Sequence, residues 1–315
     1  MRTGTIISTT RTAAKLSLLA LAGLLVVTGC SRQTSQLEGD DDPVRIPDAV
    51  DAITGNPQAG DSQSGEPGSA LVTIDLPAFN KRSSSNWGPA LQDIMNHEAP
   101  GDSNGYDDLI TLGHETTHGI NSHVRNRMNN TGKRANGYYL MDNRAALVEE
   151  PNMRKSQVAP FVPRSLRNSR YDLYLAGQSG WDDMPTYIMD EWVSYINGSA
   201  AGVDLVNKGL WRAGWRDGVK GTIDFSVFSV ALGMAIEKHD PAYFKSNTQF
   251  REFLAYNLKR GMKVFFEGRK MTDFADQEQD DYYRNFRDGT EASAMRDFLN
   301  RTYGEAWVKA AVFSE

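Results

Sequence analysis

The run Leu109-Ile110-Thr111-Leu112-Gly113-His114-Glu115-Thr116-Thr117-His118-Gly119-Ile120-Asn121-Ser122-His123 decides how this chain is read. On an α-helix each residue turns by about 100°, so positions four apart lie about 40° from one another on one face. His114 and His118 then aim two imidazoles at a single point. Ile110, Thr117 and Asn121 share that face, whereas Leu109, Leu112, Thr116 and Ile120 cover the opposite one. Asp107 and Asp108 suit the helix start, where acidic side chains meet the positive end of the dipole. The helix is expected to reach about residue 126, with Asn129-Asn130-Thr131-Gly132 as its exit.

Two neutral histidine nitrogens and a carboxylate suit zinc, with a fourth position open to water. Glu115, on the shoulder of the same face, is placed to take a proton from that water. His-Glu-Thr-Thr-His resembles the motif of the zincin metallopeptidases, and the resemblance implies a zinc-dependent hydrolase with Glu115 as general base and acid. His123 is a poor third ligand: it lies five residues past His118, about 140° round the helix. The metzincin pattern asks for glycine three and histidine six residues beyond the second histidine. Asn121 and Val124 stand there instead, which excludes that subclass.

A carboxylate is therefore expected as the third ligand. Glu191, in Met189-Asp190-Glu191-Trp192-Val193-Ser194-Tyr195, is the leading candidate, because a glutamate among apolar neighbours on a predicted helix is costly to bury unpaired. Glu149 and Glu150 compete with it. The arrangement resembles the gluzincins, in which a glutamate from a later helix completes the site, and Ser194 matches that family's common small residue. Tyr195 departs from the pattern, standing where many members carry an aspartate that orients a histidine ligand; Asp190 or Asp172 is left to fill that role. The resemblance also implies a donor to the oxyanion. Tyr187 and Tyr195 flank Glu191 by one turn on either side, and His239 lies further on. Tyr187 ranks first, since a tyrosine upstream of the ligand glutamate recurs among toxin-like gluzincins. The polar stretch 137–170 carries Arg144, Arg154, Lys155, Arg164, Arg167 and Arg170, read as a solvated face before a binding surface for an acidic substrate.

The N-terminus has a different character. Arg2, Arg11 and Lys15 precede an apolar run at 16–27 that is short for a bilayer span and reads as the core of a signal peptide. Val27-Thr28-Gly29-Cys30 resembles the lipobox of bacterial lipoproteins. That likeness implies cleavage after residue 29, a lipid (palmitate among its acyl chains) on Cys30 and, with Ser31 following, the outer membrane. Cys30 is the only cysteine, so no disulfide within the chain is possible. Loss of residues 1–29 removes three positive charges and no acidic one, taking the formal charge from −6 to −9. Residues 30–69 are rich in Gly, Ser, Asp, Gln and Pro and read as the lipidated cysteine with a flexible tether.

Residues 70–315 remain as the folded domain, ample for a core in a chain that is 40% hydrophobic. No basic stripe accompanies the negative charge, which argues against nucleic acid as partner. Predicted elements are strands at 71–74 and 138–141 and helices at 87–97, 185–197, 225–236, 250–265 and 292–303. Phe250, Phe253, Leu254, Asn257, Leu258, Met262 and Phe265 mark one buried helical stripe. The expected class is α+β and mostly helical: a zincin-like catalytic domain with a small N-terminal sheet and a helical C-terminal part. The expected function is a lipid-anchored zinc hydrolase of the cell envelope, foremost a metallopeptidase with a peptide or protein substrate. The alternatives are a non-catalytic envelope binding or assembly module on the same scaffold, and a peptidoglycan amide or peptide hydrolase. The sequence leaves the oligomeric state open.

Overall fold

The computed structural model describes residues 65–314, so Cys30, the leader before it and residues 31–64 of the expected tether lie outside the described residues. The last part of that expected tether is fastened to the domain. The backbone N–H groups of Gly68 and Ala70 donate to Glu252 Oε2 at 2.7 and 3.1 Å. No helix among the described residues is long and apolar enough to cross a membrane.

The fold is mostly helical with one small antiparallel sheet. Strands β1 (Ile74–Asp75), β2 (Ala135–Tyr139) and β3 (Arg144–Glu149) pair in the order β1-β3-β2, with Tyr139 opposite Ala145 and Ile74 on the other side of the same alanine. The hairpin between β2 and β3 turns through Met141, Asp142 and Asn143, all at positive φ. The strand expected at 138–141 overlaps the end of β2 and the one expected at 71–74 meets β1 at Ile74, whereas β3 falls inside the stretch read as polar and solvated.

The helices are α1 (Pro89–Asn96), α2 (Leu109–His123), the short α3 (Ser169–Tyr171), α4 (Tyr187–Asn207), α5 (Lys220–His239), α6 (Pro241–Ser246), α7 (Thr248–Gly268), α8 (Gln277–Asp288), α9 (Ser293–Tyr303) and α10 (Glu305–Ala311). Asp108 caps α2 by accepting from Thr111 N at 2.8 Å, one residue after the expected start. At its far end α2 widens into a π-helical turn over Val124–Met128. The expected stripe of α7, from Phe250 to Phe265, is fully buried.

Helix α4 runs ten residues past its expected end at 197, through Gly198 and Gly202. Those glycines are points of close approach rather than a stop. A Cβ on Gly198 would sit 2.9 Å from the Ile110 carbonyl oxygen and 3.2 Å from His114 Cβ, and one on Gly202 would sit 2.7 Å from Ile110 Cδ1. Their lack of side chains lets α2 and α4 pack backbone to backbone, despite the usual cost of glycine within a helix. Helix α2 is sandwiched. Ile110 joins the large core built on α4, α5 and α7, while Leu112 and Ile120 join a smaller one with Leu91, Ile94 and Tyr139.

Candidate metal centre

The docking of α2 on α4 brings His114, His118 and Glu191 together, with one ligand atom of each within 4.8 Å of the others. The two Nε2 atoms are 3.1 Å apart. Glu191 Oε2 lies 3.4 Å from His118 Nε2 and 3.7 Å from His114 Nε2. An ion bound tetrahedrally by nitrogen and oxygen at about 2.0–2.1 Å would separate its ligands by about 3.3 Å. The three observed edges bracket that figure.

Hydrogen bonding fixes which atoms face inward. His118 Nδ1 pairs with Asp190 Oδ1 at 2.9 Å, and the His114 ring hydrogen-bonds the backbone of Ser194. With those N–H groups directed outward, both Nε2 atoms turn lone pairs toward each other and toward the carboxylate. Glu191 Oε2 is itself buried without a hydrogen-bond partner. Three acceptors converging on one point repel unless a positive charge lies among them. A proton can serve: burial would lower the His118 pKa, but the carboxylates of Glu191 and Asp190 outweigh it and hold the imidazole well above its ordinary range. A metal ion serves equally, and the donor set of two imidazoles and one carboxylate fits one.

Around this cluster, Asp190 is itself anchored. Asn121 Nδ2 donates to Asp190 Oδ1 at 2.7 Å, and Arg125 Nη1, on the π-helical turn, lies 3.7 Å from Asp190 Oδ2. Asp190 thus takes the orienting place that the sequence left between it and Asp172, which is exposed. Glu149 pairs with Lys133, and Glu150 accepts from Asn136 and Thr186, so neither competitor reaches the histidines. His123 stays outside the cluster with its ring 4.8 Å from Phe79, and His239 contacts Gln157.

Glu115 is half-buried, and its carboxylate has no hydrogen-bond partner among the described residues. Burial pushes its pKa up, His118 draws it down, and Glu191 adds to the rise. Of the two tyrosines, Tyr195 lies against the centre, its ring 4.4 Å from that of His114. Tyr187 begins α4 and stacks on Trp181 at 4.5 Å, next to Arg125 on the same indole.

The structure adds residues that the sequence did not single out. Tyr174 hydrogen-bonds Tyr195 and feels the charge of Glu191, while Tyr106, partly exposed before α2, feels Glu115 and His118. Arg170 belongs here too. It is neither solvated nor open to substrate, because its guanidinium spans Asp224 and Asp217 at 3.0 Å each and donates to the Tyr195 hydroxyl at 3.4 Å. Lys155 is likewise buried, its ammonium held by the carbonyl oxygens of Gln178 and Gly180. No periodic signal marks a cation that faces inward, so its residue type alone suggested a surface.

Comparison with protein-family models, curated proteins and solved structures found no match to the chain.

Proposed function

We propose that this chain is a zinc-dependent hydrolase of zincin type, acting on peptide bonds. The observation that carries the reading is the convergence of three acceptor atoms, His114 Nε2, His118 Nε2 and Glu191 Oε2, with Glu191 Oε2 buried and without a hydrogen-bond partner. Those three residues would hold the ion. When bound, zinc supplies a Lewis acid that polarises a carbonyl and acidifies a water.

The chain's own groups do the rest. Glu115, uncommitted and raised in pKa by burial, accepts a proton from the attacking water and passes it to the leaving nitrogen. A wholly solvated carboxylate would be a weaker base and a slower acid. Tyr195 is the better placed of the two tyrosines to donate to the oxyanion. Its oxygen already takes a hydrogen bond from Arg170, which strengthens its own O–H as a donor. Asp190 keeps His118 in the tautomer that leaves Nε2 free.

The N-terminal sequence extends the reading to an envelope protein tied to a membrane by a lipid on Cys30. Mass spectrometry of the mature N-terminus tests that part by the acyl mass on Cys30.

The central test measures bound metal in the purified chain and compares wild type with Glu115→Gln on protein, peptide and muropeptide substrates. Stoichiometric zinc is expected, with peptide cleavage lost in Glu115→Gln and zinc retained. Zinc-free wild type overturns the reading. Zinc with no cleavage by either form points to a binding module, and cleavage confined to muropeptides points to a cell-wall hydrolase.

A further inference from the structure

A strained tryptophan stands behind the metal centre. Trp181 has a φ of 62°, a left-handed backbone that bulky side chains rarely adopt. The chain is fastened on both sides of it. The buried Lys155 ammonium donates to the carbonyl oxygens of Gln178 and Gly180 at 2.9 and 2.7 Å. Just beyond the tryptophan, the Asp182 carbonyl accepts from Lys155 N, and Asp182 Oδ1 accepts from Ser156 N, both at 2.8 Å. Backbone strain persists only where its surroundings over-determine it, and it collects at functional sites.

The strain delivers the indole to a particular place. The ring lies flat on Tyr187, 4.5 Å between centroids and 8° between planes, and the Arg125 guanidinium sits 5.3 Å from the indole centroid. The neutral contacts of Arg125 are long: Nε to Asn126 Oδ1 at 3.4 Å, Nη1 to Asn136 Oδ1 at 3.4 Å and Nη2 to Ser122 Oγ at 3.3 Å. Contacts at that limit hold a guanidinium loosely. An aromatic face holds it better, and more so where the cation has lost water, as Arg125 has with its side chain 12% exposed. Arg125 Nη1 then faces Asp190 Oδ2, the oxygen that neither His118 nor Asn121 uses. Both oxygens of the carboxylate that orients His118 are thereby engaged.

We propose that Trp181 is a positioning residue for the metal centre: its indole holds Arg125 against Asp190, and Asp190 holds the His118 ring. The inference rests on the reading of His114, His118 and Glu191 as metal ligands. Groups behind a ligating histidine tune metal affinity by fixing its ring. Here that influence extends through an ion pair to an aromatic stack on the loop braced by Lys155.

Competition with a chromophoric chelator measures zinc affinity in the full chain, and heat unfolding of the metal-free protein follows the fold separately. Trp181→Leu keeps bulk without an aromatic face and should weaken zinc binding by about tenfold. Trp181→Phe restores a face and should recover most of that loss. Arg125→Gln should weaken zinc by a similar factor, and adding Trp181→Leu to it should cost little more, since the two residues act along one line. A role in packing alone would lower the melting temperature of Trp181→Leu and leave its zinc affinity unchanged, which overturns the proposal. Additive losses in the double variant, or Trp181→Phe as weak as Trp181→Leu, overturn it too. Arg125→Gln keeps the test open if Trp181→Leu does not fold, because unchanged affinity there breaks the chain of contacts in its middle. Wild type that binds no zinc overturns the metal reading and this inference together, whereas zinc held equally by wild type and Trp181→Leu overturns this inference alone.

Discussion

His118 and His114 stand one turn apart on α2, and their surroundings differ in kind. His118 is held by charge: Asp190 accepts a hydrogen bond from its Nδ1 and is in turn fixed by Asn121 and Arg125. His114 is held by packing. It lies between the Tyr195 ring and the bare backbone at Gly198, with a backbone hydrogen bond at Ser194. The electrostatic outcome follows the surroundings. Burial drives the His114 pKa well below its ordinary range, helped by His118 and Arg170, whereas carboxylates carry His118 the other way. One histidine thus depends on an ion pair and the other on shape, so damage to the two sides should be separable.

The largest effect is expected where both halves meet. Glu191→Ala removes the shared carboxylate and should lower zinc affinity by at least about a hundredfold, read by competition with a chromophoric chelator. On the His114 side, Tyr195→Phe keeps the ring and deletes the hydroxyl; kcat should fall by about a hundredfold with zinc content unchanged. A loss of zinc in that variant would show that the hydroxyl supports the ligand and not the reaction. Asp190→Asn probes the charged half, with an expected loss of about 10- to 100-fold in zinc affinity and little change in thermal stability. Gly198→Ala probes the packed half, since its Cβ has no room against Ile110 and His114. It should cost about 1–3 kcal/mol in denaturant unfolding.

A smaller effect serves as a control remote from both histidines. Burial raises the Glu150 pKa to about 7, against opposing hydrogen bonds from Thr186. A carboxyl raised in the folded state favours folding most below its unfolded pKa of about 4.5, and that contribution is lost as pH rises through about 7. Glu150→Gln should flatten this slope, a difference on the order of 1–2 kcal/mol between pH 4.5 and 7.5. An unchanged slope would mean that Glu150 is solvated.

Much of the centre was legible because helical periodicity is local. The spacing of His114 and His118 is enough to align them, and the apolar neighbours of Glu191 mark a carboxylate that enters the core. The choice between Asp190 and Asp172 was not legible, because both are acidic residues near predicted helices and only the docking angle separates them. The reach of α4 past Gly198 was missed for a related reason. Glycine reads as a terminator until the partner helix that needs the space is in view. Strand β3 has little alternation of its own and owes its place to pairing with β2 and β1. Arg170 and Lys155 were misjudged because charge suggests solvent unless the buried partners are known.

The joining of α2 to α4 through His118, Asp190 and Glu191 links positions 72 residues apart in a chain whose lone cysteine rules out an internal disulfide. An ion shared by the two helices would do the work of a crosslink, and a reversible one. Its grip on the native state grows with the logarithm of free ion over the dissociation constant, by about 2.7 kcal/mol at a hundredfold excess. The supply of free ion would then set how long the folded state survives.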